Sequence, residues 1–189
     1  MKITLKNLSP VLSLLFLLSF SLTVAAQTKQ PKTVRDFFLL LPEKYFSVDC
    51  CGSGKNYREA KEKYLKQYLA VEDTANGFLS GNGDAAQEAF DMALFRRPDG
   101  TYLIGFYTVG EGGVEDTPWS VFLEYKNGKW IDLSKNVIPQ YDAAKFIYEL
   151  PRKGTTIKVY RKDENGVDFY KGAKMYDLLW SSGKFLIKK

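Results

Sequence analysis

The chain has 189 residues with 27 basic and 22 acidic side chains, a formal charge of +5, and so the length for one substantial core and a mildly basic surface. It contains no histidine, which excludes Ser-His-Asp and Cys-His catalysis and removes the imidazole on which most zinc sites rely. Its lysines are interleaved with acids, as in Arg58-Glu59 and Lys61-Glu62-Lys63, so no concentrated basic footprint for nucleic acid is expected.

Lys2 and Lys6 open the chain, and a run from Val11 to Ala26 without acid or base follows. Val24-Ala25-Ala26 then supplies small side chains before Gln27. This order of charge, apolar run and small residues is that of a secretory signal peptide. The run falls short of the roughly 20 apolar residues that a membrane helix needs. The expectation is a signal peptide over residues 1–26 and a single α+β domain over 27–189, exported to the periplasm or secreted, with no stable membrane span after cleavage. Removal of the leader takes away two lysines and no acid, lowering the formal charge from +5 to +3.

Thr33 followed by Asp36 has the spacing of a capping box. Phe37, Phe38, Leu40 and Leu41 then give a short apolar helix that Pro42 stops. Cys50 and Cys51 sit side by side in a glycine-bearing loop, Ser47 to Asn56. Adjacent cysteines staple no distant parts of the chain; in an oxidising compartment they either stay as thiols with no special role or are redox or disulfide candidates, as a strained ring or a bridge to a second molecule. Tyr57, Ala60, Tyr64, Leu65, Tyr68 and Leu69 recur at helical spacing, which predicts an amphipathic helix over Tyr57 to Ala70.

Beyond Asn76 the period shortens to two, and hairpins are predicted to the end of the chain. Phe90 to Phe95 returns through Pro98-Asp99-Gly100 to a strand over Tyr102 to Val109. Val121 to Tyr125 turns at Asn127-Gly128 and leaves through Trp130 and Ile131. Thr156 to Arg161 turns at Asn165-Gly166 and returns through Val167 to Tyr170. Met175 to Trp180 turns at Ser181-Ser182-Gly183 and returns over Phe185 to Ile187. Ala144 to Leu150 alternates and reads as a strand. The predicted fold is α+β: N-terminal helices packed on a curved antiparallel β-meander built of about four hairpins.

Without histidine, an enzyme here would run on carboxylates, lysine, tyrosine or thiol, and no catalytic residue is assigned. Asp91 stands out because it interrupts an apolar strand, although strand alternation by itself puts it on the solvent face. The acid- and glycine-rich loops Gly81 to Asp84, Gly110 to Asp116 and Asp163 to Asp168 miss the EF-hand pattern, and Ser53-Gly54-Lys55 lacks the first glycine of a P-loop. No metal or cofactor is expected. Several strands are apolar on both faces, as central strands are, or line a concavity. The residues for an aromatic-lined site are Tyr107, Trp119, Trp130, Tyr176 and Trp180. Such a groove suits a protein, peptide, sugar or lipid ligand. Three functions compete: an exported non-catalytic binding or protein-interaction domain, a carrier of an apolar ligand inside a curved sheet, and a small carboxylate-dependent hydrolase.

Overall fold

The computed structural model describes residues 30–48, 56–84, 87–109, 119–163 and 171–188, and those from Pro31 onward belong to one compact unit. The leader, Cys50 and Cys51, the loop 110–118 and the return segment Val167 to Tyr170 lie outside the described residues.

Helix α1, Val34–Leu40, starts on the predicted capping box: Thr33 Oγ1 accepts the Asp36 N–H at 3.1 Å, and Asp36 Oδ2 accepts the Thr33 N–H at 3.0 Å. The carbonyls at its other end find unusual donors. Lys61 Nζ donates to Phe38 and Leu41 at 2.8 and 2.7 Å, and Trp130 Nε1 donates to Leu40 at 3.0 Å. These bonds satisfy groups that a helix end otherwise leaves open.

Helix α2, Tyr57–Tyr68, is two residues shorter than its periodicity suggests. Leu69 and Ala70 instead begin strand β1, Leu69–Asp73, because the Tyr68 carbonyl accepts the Asn82 N–H at 3.0 Å and Leu69 pairs with Gly81. A six-stranded antiparallel sheet follows in chain order: β1, β2 (Phe78–Gly81), β3 (Ala89–Arg96), β4 (Tyr102–Val109), β5 (Trp119–Lys126) and β6 (Lys129–Asp132). The β5–β6 turn has both Asn127 and Gly128 at positive φ, 51° and 75°, the geometry for which Asn-Gly is selected.

The strands divide between two sheets instead of forming one meander. Asp132 and Ser134 pin the change of direction: Ser134 Oγ donates to Asp132 at 2.7 Å and accepts the Phe122 N–H at 2.9 Å. A one-turn helix α3, Ser134–Val137, leads to the second sheet, which has the order β10-β9-β8-β7. Its strands are β7 (Phe146–Glu149), β8 (Thr156–Lys162), β9 (Lys171–Ser181) and β10 (Lys184–Ile187). Strand β9 serves both of the last two predicted hairpins, pairing with β8 and with β10.

Two-sided strands explain the division. One core joins α1 and α2 to Leu79, Phe90, Met92, Ile104, Phe106, Val121 and Leu123 on one face of the first sheet. The other joins Ala93, Phe95, Leu103 and Phe122 on its opposite face to Tyr148, Ile157, Val159, Leu178 and Phe185 of the second sheet. Rings fill both interiors. Phe38 stacks on Phe90 with centroids 4.3 Å apart, and Phe95 meets Phe185 edge-on at 4.9 Å. The layers approach closely on both faces of the first sheet: a Cβ on Gly105 would lie 2.8 Å from Leu150 Cδ2, and one on Gly81 would lie 2.7 Å from the ring of Tyr64 on α2.

Candidate functional site

The five aromatics proposed for one groove are split by the first sheet. Trp119 stacks on Tyr45 and Trp130 packs edge-on against Phe37, both on the helix side. Tyr107, Tyr176 and Trp180 belong to the core between the sheets, where Trp180 Nε1 donates to the Arg96 carbonyl at 3.0 Å. Strand parity is the reason: Tyr107 lies opposite Ser120 and Trp119 opposite Thr108, so the two rings project from opposite faces. The indole N–H groups of Trp130 and Trp180 bond backbone carbonyls of other elements and so clasp layers together.

Asp91 is also placed differently from its solvent-face expectation. Register aligns Ser80, Asp91, Tyr107 and Ser120 in one row across four strands, on the face turned towards the second sheet. Partial burial pushes the Asp91 carboxyl up to about 6, with Lys171 pulling it down and Glu149 adding to the rise. Tyr176, on the facing sheet, has a buried hydroxyl without a hydrogen-bond partner in the structure.

The second sheet has one face on the core; its other face is closed at Ile147, which is 1% exposed, and open towards Leu179 and Leu186. Tyr148, Val159 and Tyr176 are register neighbours on the core side, so the adjacent row Glu149, Lys158 and Asp177 projects to the other side. Glu149 accepts from Lys158 at 2.9 Å and Lys171 at 2.6 Å, while Asp177 pairs with Lys174 at 2.7 Å. Partial burial pushes the Glu149 carboxyl upward, but the two lysines hold it below its ordinary range. A cleft of about 320 Å³ opens beside this row, lined among others by Glu149, Arg152, Lys153, Thr156, Lys158 and Asp177. Arg152 ties its rim to the first sheet through Asp73 at 3.2 Å.

Next to the cleft the same face is apolar. Leu186 lies opposite Leu179, and Leu179 opposite Thr156 at the cleft wall. Leu179 is 38% exposed and Leu186 46%, well above what core positions show. Exposed aliphatics beside a charged rim are a usual composition for a contact surface.

A running count of charge along the chain carries a signal that the local interleaving of lysines and acids hides. Through Lys145 there are seventeen basic and seventeen acidic residues, and from Phe146 to Lys189 there are ten and five. The whole excess of +5 therefore belongs to the segment that forms the second sheet.

Among the described residues, no group of three or more acids and cysteines is arranged to hold a metal ion. No helix among them is long and apolar enough to cross a membrane. No family model and no curated protein matches the chain. A solved structure, a domain of an uncharacterized protein from Porphyromonas gingivalis, is similar at a TM-score of 0.49 and 12% identity, over 82% of this chain and 97% of that one.

Proposed function

We propose that the protein is an exported, non-catalytic interaction domain whose binding surface is the open face of the second sheet. The observation that carries this reading is the exposed pair Leu179 and Leu186 beside the charged cleft, on a sheet whose other face is buried. In this reading the N-terminal helices and the curved meander they cover form the rigid frame, and the second sheet is held against it for contact. The leader read over residues 1–26 supplies the route of export. The carrier alternative needs open space between layers, where ring-to-ring contacts such as Phe38–Phe90 and Phe95–Phe185 are found. The hydrolase alternative needs a second free carboxylate facing Asp91, and Glu149, the acid that adds to its rise, belongs to the row on the far side of the second sheet and is engaged by two ammonium groups.

A photo-crosslinking residue at Leu179, in a chain expressed in an exporting host, tests the reading against a control at Lys66 on the exposed side of α2. A discrete adduct from position 179 alone is expected. Equal labelling from both positions, or none from 179, overturns it.

A further inference from the structure

Strand β10 is the edge of the second sheet, and its backbone bonds run to β9 alone. Among the described residues, Lys184–Ile187 make no backbone hydrogen bond beyond that ladder, and the Lys188 N–H extends it to Asp177 at 2.8 Å. Its side chains alternate. Phe185 is buried in the core between the sheets, where Val137 of α3 also packs. Lys184 and Leu186, with Lys188 two residues on, project to the open face. A strand edge of this kind presents unpaired N–H and C=O groups that another chain can extend.

Charge selects the chain. Glu149 and Asp177, the acids of the open face, are each already paired with lysines, whereas Lys184, Lys188 and the cleft's Lys153 make no ion pair among the described residues. A second copy of β10 laid antiparallel would oppose lysine to lysine, a repulsive arrangement. An acidic strand would not.

From this we infer that β10 docks an extended acidic segment of a partner protein by strand addition, with two carboxylates of the segment opposite Lys184 and Lys188 and an aliphatic residue opposite Leu186. The inference rests on the interaction reading and names its partner class. The segment's pattern follows from the two-residue period: acid, any residue, aliphatic, any residue, acid. Main-chain bonds give the docking strength, the two lysines select acidic side chains and fix their spacing, and Leu179 and Leu186 provide the apolar contact between them.

The probe is a capped heptapeptide, Thr-Glu-Thr-Val-Thr-Glu-Thr, with its counterpart carrying lysine in place of both glutamates. Each is titrated into the chain purified from an exporting host, at low and at physiological salt, and followed by amide shifts and hydrogen exchange. The acidic peptide is expected to bind, with new protection confined to Lys184–Lys188 and weakening as salt rises. Lys184→Glu with Lys188→Glu is expected to weaken it about tenfold or more while leaving the melting temperature unchanged. Should that variant fold poorly, Lys184→Gln with Lys188→Gln reads the same loss. Equal binding of the basic peptide, protection elsewhere, or insensitivity to either pair of substitutions overturns the inference. So does capture by phosphatidylglycerol vesicles without peptide binding, which would make the partner a lipid surface. If the Leu179 crosslink persists while the peptide fails, the strand-addition inference falls and the interaction reading stands.

Discussion

Lys61 offers the sharpest physical test of the helix layer. Its side chain is 1% exposed, its Nζ donates to Phe38 and Leu41, and it lies 4.6 Å from the centre of the Tyr57 ring. Burial, with Arg58 adding to it, lowers its pKa from 10.5 to about 7. Between those values the unfolded chain binds the extra proton, so native stability rises with pH. The slope approaches about 1.4 kcal/mol per pH unit, which amounts to about 3 kcal/mol from pH 7 to 9.5. Tyr57 and Tyr64, whose pKa values burial raises, contribute in the opposite sense only above their unfolded value near 10. Lys61→Met removes the titration. It leaves the Leu41 carbonyl without its lysine donor, at a cost of about 1–3 kcal/mol, whereas Phe38 retains the Leu41 N–H. Urea unfolding of both proteins at intervals from pH 6 to 9.5 reads the difference. The wild type is expected to gain about 3 kcal/mol on the variant between pH 7 and 9.5, with the two lines parallel below pH 6. A flat difference would mean that the two carbonyls keep the amine charged throughout, and the reasoning from burial would fail.

At Gly105, alanine puts a methyl 2.8 Å from Leu150 and 3.2 Å from Phe95 and Phe122, so Gly105→Ala is expected to cost about 1–3 kcal/mol in urea unfolding; an unchanged midpoint would refute the close approach of the sheets. Asp91 has a raised pKa, so the folded chain keeps its proton longer than the unfolded one. Stability is therefore expected to fall by about 2 kcal/mol from pH 3.8 to 6, and Asp91→Asn should remove that fall; an identical profile for the variant would place the carboxyl in water. Replacing both Cys50 and Cys51 by serine should leave the melting temperature within a few degrees, because adjacent residues close almost no loop, and collapse of the fold would refute this. N-terminal sequencing of exported material should begin at Gln27, and a retained leader would count against export by cleavage.

Local chemistry was legible and layering was not. Thr33 with Asp36, and Asn127 with Gly128, act through bonds and dihedrals within a few residues, so their spacing was enough. The end of α2 was not, because Leu69 leaves helical spacing only when Gly81 and Asn82 offer it a ladder from twelve residues away. Strand parity likewise separates Tyr107 from Trp119, but only the register of β4 against β5 reveals it. Asp91 looked solvated because alternation names two faces without saying that both are covered. The open face is an intermediate case. Its charge could have been counted from the sequence, while the alignment of Lys184 and Leu186 with Leu179 needed the β9–β10 pairing.

Because the strands of each sheet pair in chain order, a chain emerging from its N terminus never has to hold a strand in reserve for a distant partner. Low sequence separation of this kind shortens the conformational search. The late steps are then the clasps between layers, and two of them are tryptophans that reach across 90 and 84 residues, Trp130 to Leu40 and Trp180 to Arg96. Each indole reports a different closure. Single-tryptophan chains retaining one or the other would therefore time the seating of the helices and of the second sheet as separate fluorescence phases.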